Sequence, residues 1–187
     1  MSEPESPQGE RETSELAVDT TLLRRAFGTF ATGVTVVSVG GESPHGMTAN
    51  SFASVSLAPP LLLVCVDKGA AMHDIMLATG GFGVSVLAHH QEPVARHFAN
   101  RHRPLGVAQF HAVDWRPGER TGAPLIEDAI ARFECKLQGS YEAGDHTIFV
   151  GELLSVDTSA DAAPLLFHKG RFLRPATEPA TGRSEAA

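Results

Sequence analysis

Cysteine is scarce in this 187-residue chain: Cys65 and Cys135 are the only two, and tryptophan and tyrosine occur once each. Both cysteines lie in apolar or alternating segments, so free buried thiols are expected rather than a disulfide framework. Positive charge is also in short supply, with 15 Lys and Arg against 22 Asp and Glu and a net charge of −7. That balance argues against a nucleic-acid binder, which would need a basic face. No apolar run approaches the ~20 residues of a membrane span. Met1–Glu15 is polar and acidic, without the apolar core of a signal peptide, and the expected address is the cytoplasm. His-Glu-x-x-His and Cys-x-x-Cys are absent, and His97 and His102 are spaced wrongly for one helix face, so no metal site is expected. Without Gly-x-Ser-x-Gly a hydrolase elbow has no starting point. Gly41 to Thr48 has the glycine spacing of a P-loop, but Met47 stands where the lysine must be. Gly81-Phe82-Gly83 lacks the third glycine of a dinucleotide fingerprint.

What remains is an ordinary globular composition, 42% hydrophobic and 20% charged. Residues 1–18 and 176–187 have the composition of disordered tails. Residues 19–175 are expected to form one domain. A helix is expected from Leu22 to about Phe30, capped by Thr20 or Thr21, with Leu22, Leu23, Ala26, Phe27 and Phe30 as its apolar stripe and Thr32-Gly33 as its break. Strands are expected at 34–39, 45–51, 53–57, 61–67 and 82–88. Short helices are expected near Ala71–Leu77 and from Gln91 to Asn100, then a looser region through Arg103-Pro104 and Trp115–Gly118. Residues 131–138 alternate as a half-buried strand, and Ile148–Val156 continues the sheet after a turn at Ala143-Gly144-Asp145. A last strand is expected at Leu165–His168. Many short strands with few helices suggest a mainly β fold, a barrel with helical additions, and weigh against a doubly wound sheet.

Between two of the β-branched runs lies Gly46-Met47-Thr48-Ala49-Asn50-Ser51-Phe52-Ala53-Ser54-Val55-Ser56. Its small side chains, hydroxyls and amide suit a flat, polar-edged ligand lying against backbone. Gly144-Asp145-His146-Thr147 reads as a turn presenting a histidine. Phe167-His168-Lys169-Gly170-Arg171-Phe172 reads as a closing strand with an arginine. Arg96, Arg101 and Arg103 form a local basic cluster, which a cofactor phosphate would explain.

In order along the chain, these blocks resemble the flavin reductase family, the NAD(P)H-dependent partners of two-component flavin monooxygenases. The resemblance runs from about Leu22 to Pro175. It is carried by Phe30–Val37, Gly46–Phe52, Ser54-Val55-Ser56-Leu57 with Pro59-Pro60, Gly144–Glu152 and Gly170-Arg171-Phe172. It implies a Greek-key split β-barrel of the FMN-binding type, a homodimer, and hydride transfer from NADH or NADPH to FAD or FMN for a partner flavin-dependent monooxygenase. It implies that flavin lies against Met47, Thr48, Ala49, Asn50, Ser51, Ser54 and Val55. The turn at Asp67, Gly69 and Ala70 then holds the phosphate side, and His97 and Phe98 line the site. His146, the candidate catalytic residue, then contacts the nicotinamide, and Gly170, Arg171 and Phe172 close over it. Phe172 stands where relatives often carry tyrosine. Two other readings stay open: a split-barrel oxidase with tightly bound FMN, and a non-catalytic flavin-binding protein.

Overall fold

The computed structural model describes residues 19–158 and 162–176. Both expected disordered tails lie outside the described residues, apart from Ala176. The described residues begin with α1 (Thr20–Phe27), then β1 (Thr32–Gly33), β2 (Thr35–Val39), β3 (His45–Ala49), β4 (Ala53–Leu57) and β5 (Pro60–Asp67). Next come α2 (Ala71–Thr79), β6 (Gly81–Val86), α3 (Glu92–Ala99), β7 (Trp115–Pro117) and β8 (Pro124–Ile126). The long strands β9 (Ala131–Ala143) and β10 (His146–Thr158) and the short β11 (Leu166–His168) and β12 (Arg171–Leu173) complete it. The architecture is mainly β with few helices.

A seven-stranded antiparallel sheet runs in the order β3-β2-β6-β9-β10-β5-β4. Its edge strands, β3 and β4, are sequence neighbours joined through Asn50–Phe52. Laid flat, steps of roughly 4.8 Å would hold those edges ~29 Å apart. The chain from Ala49 to Ala53 can reach only about 14 Å. The sheet therefore curls until its edges approach, yet β3 and β4 share no ladder among the described residues. Ser51 fastens the seam from the β5 side. Its Oγ accepts from Cys65 N–H at 3.0 Å and donates to Cys65 C=O at 2.9 Å, beyond the point where β4 stops pairing with β5.

Two buried clusters fill the interior. One joins Val37, Val64, Phe82 and Phe149 to Met72 and Met76 of α2. The other joins Val34, Val36 and Leu87 to Ala95 and Phe98 of α3 and to Phe110 and Ile126. Close packing explains Gly151, where a Cβ would stand 2.5 Å from the Phe82 ring.

Several expectations change. Asp19, not a threonine, caps α1, its Oδ1 accepting from Thr21 N–H at 2.8 Å. The helix stops at Phe27, and Gly28 caps it by donating to Arg24 C=O at 2.9 Å. Thr32-Gly33, expected as a break, is β1, paired with β11 in a small sheet that β12 completes. The apolar stripe of α1 is not buried: Phe27 is 72% exposed and Phe30 76%. The looser region holds a 3-10 turn at Gly106–Phe110 and the β7–β8 ladder. In 131–138 the buried partners include charged groups, because each finds full hydrogen bonding. Arg132 donates to Ile126 C=O, Asp157 and Glu127. Glu134 accepts from the Arg120 and Thr121 N–H groups and from the Thr121 and Ser155 hydroxyls. Both cysteines are free as expected, but Cys65 is only half-buried.

Candidate active site

A cavity of about 380 Å³ opens between β3, the turn from β5 into α2, and the end of α3. Sequence explains why these elements meet. Gly46 lacks a Cβ, which would otherwise stand 2.7 Å from the Phe98 ring, so Phe98 lies directly on β3. Thr48 Oγ1 donates to Ala95 C=O at 2.7 Å and stitches the same strand to α3. The emptiness at Gly46 is thus filled by protein, and the Thr48 and Ser51 hydroxyls are already engaged. What β3 still offers is its outer edge, where alternate backbone groups of an edge strand point away from the sheet.

The second wall is the turn after β5. Asp67 Oδ1 accepts from Gly69 N–H at 2.7 Å, and Asp67 C=O accepts from Ala70 N–H at 2.9 Å. Ala70, the N-cap of α2, brings no side-chain acceptor, so the first N–H groups of α2 stay uncapped where Ala71 and Met72 line the cavity.

Arg101, Arg103 and Leu105 form the third wall. Arg103 is half-buried; its Nε donates to Gln109 Oε1 at 3.2 Å and its terminal nitrogens donate to Asn100 C=O, Gly46 C=O and His45 Nε2. Burial pulls its pKa below the usual value. Among the described residues neither Arg101 nor Arg103 pairs with a carboxylate. His45, 7% exposed, is pulled down to about 4, first by burial and then by the Arg103 charge. The cavity can therefore take a ligand with an anionic end.

The expected site residues divide. Met47, Thr48, Asp67, Gly69, Ala70 and Phe98 line the cavity. Ala49, Asn50 and Ser51 continue from it along the β3–β4 link, where Asn50 Nδ2 donates to Thr32 Oγ1 at 3.3 Å. Ser54 and Val55 lie exposed on β4. His146 pairs in register with Asp67, a lining residue, but does not itself line the cavity. Its Nδ1 meets Asp145 Oδ1 at 2.7 Å, and that hydrogen bond, with the imidazole charge, holds the Asp145 carboxyl below its usual range. His97 faces the other way, its Nε2 donating to Gln109 C=O at 2.6 Å. Gly170, Arg171 and Phe172 sit on the β11–β12 hairpin. Phe172 carries the Arg96 guanidinium 4.9 Å over its ring and lines a separate cavity of about 630 Å³ beside the start of α3. Within one chain they do not line the first cavity.

The basic cluster thus splits: Arg96 goes to Phe172, while Arg101 and Arg103 go to the cavity. The cluster was the signal that could have named those two. Nothing in the sequence marked His45, which is a lone histidine in a strand, or the fully buried Gln109 that braces it.

A curled antiparallel sheet with an anion-ready cavity at its seam places the protein among mainly β ligand-binding domains rather than doubly wound ones. The chain belongs to the family of the flavin reductase like domain, whose model matches residues 27–175. It is 54% identical to an NADH-dependent FAD reductase of Streptomyces globisporus over 166 residues, 89% of this chain and 91% of that one. It is 45% identical to an NADH-dependent flavin reductase of a Rhodococcus species over 157 residues, 80% of this chain and 83% of the relative. Among solved structures it is similar to an NADH:FAD oxidoreductase of Streptomyces globisporus in complex with NAD and FAD fragments. The TM-score is 0.82 at 53% identity, over 86% of this chain and 94% of that one. BorF, the flavin reductase component of a bacterial two-component tryptophan halogenase, gives a TM-score of 0.81 at 56% identity, over 83% and 98% of the two chains.

Proposed function

We propose that this protein is an NADH-dependent flavin reductase that passes a hydride to FAD or FMN and supplies the reduced flavin to a partner monooxygenase. The observation that carries the reading is the cavity itself: backbone edge on one side, and on the other two guanidinium groups that meet no carboxylate among the described residues. The flavin's phosphates meet Arg101, Arg103 and the uncapped N–H groups of α2. Its ring system lies along Met47–Ser51, where the edge N–H groups face its carbonyls and stabilise the charge that grows there on reduction. When bound, flavin supplies the two-electron chemistry, and the protein supplies stacking, distance and field. His146, beside Asp67, positions the nicotinamide through a hydrogen bond at Nε2, its ring oriented by the Nδ1–Asp145 contact. Both thiols stay out of the chemistry. Burial raises both pKa values, that of Cys135 to about 12 with Glu134 adding to the effect.

The curled sheet with its open seam fits a split barrel over residues 19–175, and the protein acts as a homodimer. Helix α1 supports the dimer. It buries none of its residues, and Leu22 and Phe27, with Phe30 just after the helix, leave apolar side chains in water. An isolated helix this short is not stable without a packed face, so a second copy covers it. In the dimer, the Gly170-Arg171-Phe172 hairpin, held on its own chain through β1 and Arg96, faces nicotinamide bound at the other copy. No helix among the described residues is long and apolar enough to cross a membrane, and the reaction's NADH is available in the cytoplasm, where we place the protein.

The test is oxidation of NADH and of NADPH by purified protein with FAD, FMN or riboflavin in turn. NADH loss that depends on added flavin is expected; loss without any added flavin, from protein that purifies yellow, would favour the tight-FMN oxidase.

A further inference from the structure

We propose that His45 is a positioning residue for flavin binding: as a neutral imidazole it accepts a hydrogen bond from Arg103 and fixes that guanidinium on the cavity wall for the flavin phosphate. The inference rests on the flavin reductase reading and adds to it a residue, a protonation state and a pH limit.

The geometry fixes the tautomer. Arg103 has only donors. Its terminal nitrogen lies 3.1 Å from His45 Nε2, so Nε2 must be the unprotonated nitrogen. Gln109 borders the other ring nitrogen and makes no demand on it. Its Oε1 accepts from Gly46 N–H at 3.0 Å, so its amide group is the end near His45. That Nε2 donates to Pro44 C=O at 2.9 Å and Gly106 C=O at 3.0 Å, which uses both of its hydrogens. At 3.5 Å from His45 Nδ1 it has nothing left to give, and Nδ1 carries the imidazole proton.

A second proton on His45 has no place here. An imidazolium would set an N–H against guanidinium N–H groups and a charge against a like charge in a nearly dry wall. The charged groups facing this point are Arg103 and Arg101 from the loop after α3 and Asp67 across the cavity. His97 stands behind Gln109, and β2 brings Val39 opposite His45. Protonation therefore displaces the Arg103 side chain while leaving the strand pairing of His45 in place. Ring stacking on β3 does not depend on that contact; phosphate anchoring does.

Phosphate-free riboflavin separates the two. NADH oxidation would be measured for the wild type, His45→Ala and His45→Gln with FAD and with riboflavin. His45→Ala should raise the ratio of KM for FAD to KM for riboflavin about tenfold, the size of one charge-assisted contact. His45→Gln, which restores a neutral acceptor, should return the ratio to within about twofold. Equilibrium dialysis of FAD gives a second readout that needs no turnover. Wild-type binding should hold from pH 8 to 6 and weaken as pH falls towards 4, and His45→Gln should lose that acid limb. The inference fails if His45→Ala leaves the ratio at its wild-type value, if both KM values rise in step, or if the acid limb survives in His45→Gln. Absence of NADH oxidation by the wild type with every flavin would sink the activity instead, while the dialysis arm would still decide the role of His45.

Discussion

Replacing Ser51 by alanine tests the seam of the curled sheet. β4 pairs with β5 only as far as Leu63, opposite Ala53. Two residues further on, the Ser51 hydroxyl takes both backbone groups of Cys65, at 2.9 and 3.0 Å. The alanine variant loses both contacts and leaves a half-buried N–H and C=O without their partner. At about 1 kcal/mol for each ordinary hydrogen bond, the expected loss is about 2 kcal/mol. For a chain of this length that corresponds to a fall in Tm of roughly 4–8 °C. The Asn50–Phe52 link then loosens beside the flavin cavity, so the KM for FAD should rise as well. Thermal melts followed by circular dichroism, with steady-state kinetics on the same samples, give both numbers. Ser51→Thr keeps the hydroxyl and should recover most of the stability. A Ser51→Ala melt within about 1 °C of the wild type would show that the hydroxyl does not hold the seam.

His146→Ala should raise the KM for NADH or slow flavin reduction while flavin binding is largely kept; kinetics identical to the wild type would remove His146 from the site. Glu134 governs acid stability. Burial alone would raise its pKa, but the hydrogen bonds from Ser155, Thr121 and Arg120 together pull it below the ordinary value. A depressed carboxyl stabilises the fold fully above its unfolded pKa and loses that contribution as pH falls through the folded value. The wild-type Tm should therefore drop below about pH 4.5 more steeply than that of Glu134→Gln. At neutral pH the variant should be less stable by about 2 kcal/mol; equal pH slopes would refute the assignment. Phe27→Asp, placing a charge on the exposed stripe of α1, should shift the protein from dimer to monomer in sedimentation velocity; a dimer of wild-type affinity would mean that the stripe meets no second copy.

Much of the sheet was legible because β-branched runs and turn residues alternate clearly from Thr35 to Val86. The α1 stripe was legible as a pattern and misleading as a core, since periodicity reports an apolar face and not what covers it. The strand from Ala131 was read as polar on one side, yet Arg132 and Glu134 are buried there because loop backbone supplies their partners. Such loop partners leave no mark in the strand's own sequence. The small-residue motif at Gly46–Ser51 pointed to a strand that lines the cavity, though its small side chains serve other contacts. Gly46 is small to admit Phe98, and Ser51 has its hydroxyl for Cys65. Arg103 was visible as charge, but only the fold separates it from Arg96. His45 became meaningful only once Arg103 and Gln109 surrounded it.

The most direct measurement is an anaerobic mixing of the protein with NADH and a large excess of FAD, following the loss of flavin absorbance. If a cavity at the sheet seam binds flavin as an exchanging substrate, many equivalents of FAD per protein should be reduced, with NADH consumed in equal amount. Reduction that halts after one equivalent, or FAD that stays oxidised beside unspent NADH, would contradict it.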